Sequence, residues 1–149
     1  MSWTDLLNKR TVQTHATSED EIKSLREVVA RDLKDAEIID LSADRRFAVT
    51  YNAVLQLSKM VIAGAGYRVA TGGSGHHQKT FAAVVVALGG AGSALAAYFE
   101  TCHRNRNNID YDAAEIVTET EADELLLKAE EFRVSIEKWI ANNHPQFKV

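Results

Sequence analysis

The first 144 residues of this 149-residue chain contain no proline; Pro145 is the only one. Proline inside a helix removes a hydrogen bond and clashes with the preceding turn, so its absence leaves long helices uninterrupted. Aromatic residues amount to only 7%, which weakens the case for a sandwich or barrel built on aromatic and β-branched strands. A chain of this length fits one domain, residues 1–149, with a full hydrophobic core.

The apolar spacing supports the same conclusion. Ser18 followed by Glu21 has the form of a capping box, with acid in the first turn. Ile22, Leu25, Val28, Val29, Leu33 and Ala36 then recur on one helical face, predicting a helix over about 19–36. Ser42 or Asp44 caps a second helix over about 43–64, carrying Phe47, Tyr51, Val54, Leu55, Val61 and Ile62. Gly64 and Gly66 end it. Residues 1–17 read as a short helical turn and a loose lead-in, and 67–75 as a Gly/Ser/Thr-rich loop. His76 and His77 open a shorter helix through Phe81, Val84, Val85 and Leu88, stopped by the run from Gly89 to Gly92. Ser93 is the expected cap of the next helix, through Tyr98, Phe99 and Cys102. Thr118 with Glu121 signals the last helix, over about 119–141, with Asn142, Asn143 and Pro145 as its stop. Helices with short connections predict an all-α fold, an antiparallel bundle of four to five helices.

The formal net charge is -4, so nucleic acid would have to meet a local basic patch rather than the surface as a whole. Cys102 is the only cysteine, which excludes an intrachain disulfide and suits a reducing, cytoplasmic location. No signal peptide is visible at the N-terminus and no run of apolar residues approaches a membrane span.

The most unusual stretch is Cys102 to Asp112. It gathers two arginines, three asparagines, a histidine, a tyrosine and two aspartates between two helical segments. Arg, His and Tyr can hold phosphate or move protons, so a site here points to a phosphodiester or a nucleotide. The structural alternative is equally concrete. Arg106 and Asp110 are spaced for a surface ion pair, Asn107 and Asn108 suit a helix end, and Arg104 suits its negative pole.

Arg106-Asn107 followed by Tyr111-Asp112 resembles the HEPN superfamily (higher eukaryotes and prokaryotes nucleotide-binding), whose usual motif is Arg-Asn-x-x-x-His at the end of a long helix. The sequence is similar to a bacterial subgroup with tyrosine, here Tyr111, in the place of that histidine. Tyr51-Asn52 and the Gly75-His76-His77 junction extend the likeness loosely along the chain. The resemblance implies a HEPN-like bundle and a homodimer whose polar segments face each other. It implies either metal-independent RNA cleavage, with a toxin-type role in a toxin–antitoxin or defence pair, or a non-catalytic nucleotide-binding or interaction module beside a nucleotidyltransferase. Arg106, Asn107 and Tyr111 are then the catalytic candidates.

Metal-free RNA cleavage needs a base for the 2′-hydroxyl, an acid for the leaving oxygen and a cation for the phosphorane charge. Arg106 suits the last role, with its planar fork matched to two phosphate oxygens. Asn107 suits positioning. A phenol is a poor base, so Tyr111 leaves the proton carrier open. His103 lies three residues before Arg106, about 60° around a helix and near enough to share a face. His103, Arg104, His76 and His77 are the candidate substrate-binding residues. Adjacent histidines diverge on a helix, so no metal site and no cofactor are expected. The run from Gly72 to Gly75 lacks the Lys-Ser/Thr of a P-loop and reads as a connection. Cys102 reads as an inert helix cysteine, the acids from Glu115 to Glu124 as helix-start charge, and Trp3 and Trp139 as packing anchors.

Overall fold

A computed structural model describes residues 1–107 and 117–149, with the backbone alone for 105–107. Its elements in chain order are α1 (Trp3–Asn8), β1 (Val12–Thr14), α2 (Glu19–Asp35), α3 (Ala43–Gly64), β2 (Tyr67–Val69), α4 (His76–Leu88), α5 (Gly90–Asn107) and α6 (Glu119–Asn143), followed by a 3-10 turn at Pro145–Phe147. The fold is all-α, a helical bundle with one two-stranded ribbon.

The helix starts follow local chemistry. The Ser18 hydroxyl accepts from the Glu21 amide at 3.2 Å, leaving one fewer orphan donor in the first turn of α2. The reciprocal half of the expected box is absent, because the Glu21 carboxylate turns to His15. Ser42, and not Asp44, caps α3, accepting from the Arg45 amide at 3.3 Å. Asp44 instead accepts from the Val117 amide at 2.9 Å, tying the start of α3 to the chain just before α6. Both halves of the Thr118–Glu121 box form.

α3 is the axis of the bundle and packs against α2, α4 and α6. Tyr51, Val54, Leu57, Met60 and Val61 on α3 are all buried. They meet Ile22, Val29 and Leu33 of α2, and Leu125, Ala129, Phe132, Ile136 and Ile140 of α6, in one core. These are the faces the 3.6-residue spacing selects. Val84, Val85 and Val86 are helical within α4.

Two connections differ from expectation. The segments read as a lead-in and a loop contain β1 and β2, which pair antiparallel with Val12 opposite Val69 and Thr14 opposite Tyr67. Three-residue strands are too short to show an alternating pattern, and the pairing is a long-range one. Trp3 stacks on Tyr67 with ring centroids 4.4 Å apart, so α1 and the ribbon close one side of the bundle. The second difference is the turn between α4 and α5. The whole run from Gly89 to Gly92 reads as a stop, but only Gly89 breaks the helix, at φ 69°. α5 starts at Gly90, so Ser93 lies inside it rather than capping it, its hydroxyl bonded back to the Gly89 carbonyl at 3.4 Å.

Gly92 explains how so tight a turn packs. A Cβ there would sit 2.7 Å from the Leu88 Cβ, closer than non-bonded carbons approach. Gly92→Ala is expected to destabilise the fold by about 1–3 kcal/mol through overpacking, despite alanine's better helix propensity. Chemical denaturation of the variant checks this; unchanged or raised stability would show that the α4–α5 turn relaxes freely.

Candidate functional site

Three aromatic side chains from three helices meet where α3, α4 and α5 come together. Tyr51 points from the middle of α3 and is 1% exposed. Its hydroxyl is hydrogen-bonded to His77 Nδ1 at 2.8 Å, and the tautomer decides which group donates. The His77 ring stacks on His103 of α5 with centroids 3.8 Å apart and planes 13° from parallel. Tyr51 and His103 lie 6.0 Å apart, nearly coplanar in orientation at 15°. The phenol thus sits deep, while the two half-buried imidazoles lie nearer the surface.

Local sequence accounts for this arrangement. Tyr51 lies on the buried stripe of α3, and a buried phenol favours a polar partner for its hydroxyl. His77 is in the first turn of α4, opened by Gly75 in the left-handed conformation at φ 78°. His76 precedes it and diverges, as expected for adjacent helical residues; the two rings are 79° from coplanar. His76 is exposed and faces a different cleft, described below. The structure therefore stacks His77 on His103, while His76 meets His77 only edge-on, with centroids 6.3 Å apart.

Arg104 follows His103 on α5, exposed, and donates to the Thr101 hydroxyl at 3.2 Å. α5 continues through Asn107, so the Arg106 backbone is helical and lies one turn beyond His103. The side chains of Arg106 and Asn107 lie outside the described residues, as do Tyr111 and Asp110.

The Tyr51–His77 hydrogen bond is a route for one proton, and an imidazole stacked on His77 fixes that ring's plane. Hydrogen-bond reach between two titratable groups is the geometric requirement for acid–base chemistry. Among the described residues, no three His, Cys, Asp or Glu side chains are grouped to hold a metal ion.

Neighbouring polar groups are structural. Asp32, 5% exposed, accepts from Asn52 at 2.6 Å and from Arg31 at 3.0 Å. Arg46 bonds Asp123 at 2.7 Å, Glu119 at 2.9 Å and the Ala36 carbonyl at 2.8 Å. The hydrogen bond to Asp123 pushes the Arg46 guanidinium pKa up. Acids placed by the sequence at a helix start thus also clamp α6 to α3. Cys102 is buried, and burial pushes its thiol pKa up. The thiol form dominates there, which makes it a weak nucleophile. Burial also raises the Tyr98 phenol pKa, with Cys102 and Glu124 adding to it.

His77 and His103 stand out in the sequence by residue type, whereas Tyr51 reads there as part of an apolar face and, with Asn52, of the loose family likeness. The sign available was a tyrosine, rather than phenylalanine, in the middle of a buried stripe. Together the fold and the site define an all-α bundle with a Tyr–His–His cluster at the base of a basic helix end. No protein-family model matches the chain, and no curated protein or solved structure matches it either.

Proposed function

We propose that this protein is a HEPN-like domain that binds RNA and cleaves it without a metal ion. The observation that carries this reading is the stacking of His103 on His77, one helical turn before Arg106. It offers imidazoles to a motif that carries tyrosine in place of histidine. Arg104 and Arg106 would hold the phosphodiester, and Asn107 would position it. One imidazole of the stacked pair would accept the 2′-hydroxyl proton as that oxygen attacks phosphorus, and the other, protonated, would give a proton to the departing 5′-oxygen, leaving a 2′,3′-cyclic phosphate and a free 5′-hydroxyl. Tyr111 then serves substrate placement rather than proton transfer, since a phenol is a poor base near neutral pH. A homodimer would bring two such basic helix ends to one RNA strand.

The test is a cleavage and binding assay on single-stranded RNA in excess chelator, with the wild type, His103→Ala and Arg106→Ala. Cleavage by the wild type alone, with RNA retained by His103→Ala and weakened for Arg106→Ala, is the expected result. RNA or nucleotide bound without cleavage would favour the non-catalytic module, for which a nucleotidyltransferase is the partner to seek. Equal behaviour of all three proteins would rule out a site at this helix end.

A further inference from the structure

A second cleft lies on the other side of His76, between α2, α3, α4 and the β-ribbon, with a volume of about 290 Å³. Its floor is apolar, from Leu25, Ile62 and Val69. Its walls carry Lys59 and Arg68, both exposed, and His76 at the first position of α4. One carboxylate, Glu21, also lines it, but its two oxygens already face His15 Nε2 at 2.9 and 2.8 Å. Among the described residues, no carboxylate pairs with Lys59 or Arg68. Arg68 reaches the Gln13 side-chain amide across the ribbon.

Two exposed cations beside an apolar floor, with one carboxylate already engaged, give the cleft an excess of positive charge. The start of α4 adds its partial positive pole at His76, and the Gly75 cap has no side chain to occupy the first amides. The cleft is near the lower size for small-molecule sites, which combine apolar walls with a few polar anchors.

We infer that the cleft between Lys59, Arg68 and His76 binds a small organic anion, with a phosphate or carboxylate at the cations and an apolar body over Ile62 and Val69. The apolar floor separates this ligand from inorganic phosphate, and the size of the cleft separates it from an RNA strand. The site stands independently of the proposed RNA chemistry, because none of the Tyr51, His77 and His103 side chains lines it.

Phenyl phosphate, benzoate and benzyl alcohol are the probes, titrated calorimetrically into wild-type protein, Lys59→Met and Arg68→Gln. Saturable binding of phenyl phosphate, benzoate or both, weakened about tenfold or more by either substitution, is expected from the loss of one charged hydrogen bond. Preference between the two anions identifies the acidic group. Both residues are exposed, so the variants should melt with the wild type, and a matched melting temperature is part of the result. Absence of saturation up to about 10 mM, a level matching the weakest useful affinities, would overturn the site. So would equal binding of benzyl alcohol, or equal affinity in both folded variants.

Discussion

Phe132→Ala will lower the stability of this protein by about 3–5 kcal/mol, the range for emptying a fully buried aromatic site. Phe132 is 0% exposed, and its ring lies 5.1 Å from that of Phe99, tilted by 55°. Phe99 in turn lies 6.1 Å from Phe81. The three rings join α6, α5 and α4 across the core, so alanine at 132 leaves a cavity that no single helix can close. For a chain of this length the melting temperature should fall by about 10 °C or more, read by far-UV circular dichroism. Phe132→Leu should lose much less, because it keeps most of the volume. Similar losses for both variants would mean that the ring contacts, rather than the cavity, dominate. The effect should reach the candidate site, since Phe99 stands one helical turn before His103 on α5.

The helices were legible because each one repeats its apolar face over many residues. Ile22, Val29 and Leu33 on α2, and Leu125, Ala129, Phe132 and Ile136 on α6, lie in the core where their spacing puts them. The short elements were not legible. β1 and β2 owe their existence to each other and to the Trp3–Tyr67 stack, and a three-residue strand carries no period of its own. Ser93 illustrates the limit of cap signals. A serine after glycine fits a helix start, but Gly89 alone makes the turn and α5 is already under way at Gly90. Glu21 was placed correctly at the third position of α2, yet its carboxylate serves His15, a partner from outside the helix.

The candidate site divides in the same way. His77 and His103 lie 26 residues apart in sequence, and only the packing of α4 on α5 stacks them. Residue type singled out each histidine; nothing in their spacing could pair them. Tyr51 was assigned to the core by the periodicity of α3, correctly for its ring and incompletely for its hydroxyl. The same blindness to long-range partners hid the anionic-ligand cleft, whose two cations come from α3 and β2 and which His76 of α4 completes.

His77→Ala should separate a proton-transfer cluster from a packing cluster. Under the proposed reaction it removes the ring that both bonds Tyr51 and supports His103. Loss of a positioned acid–base group typically slows a reaction by about 10²–10⁴-fold. RNA affinity should change little, because the phosphate contacts assigned to Arg104 and Arg106 remain. Tyr51→Phe keeps the buried ring and deletes one hydrogen bond, so its rate loss should be smaller, about tenfold if that bond orients His77. The substitutions also act on stability, since Tyr51 is 1% exposed and loses a buried partner when His77 is removed. Rates are therefore compared well below each variant's melting temperature, with RNA binding as the check on the fold. If instead both variants cleave like the wild type, the stacked histidines only pack α4 against α5, and the proton carrier must lie elsewhere on the helix end. If His77→Ala loses binding and cleavage together, the pair shapes the RNA groove, and its role is positioning. A slow rate with intact binding is the combination that only acid–base work by this cluster produces.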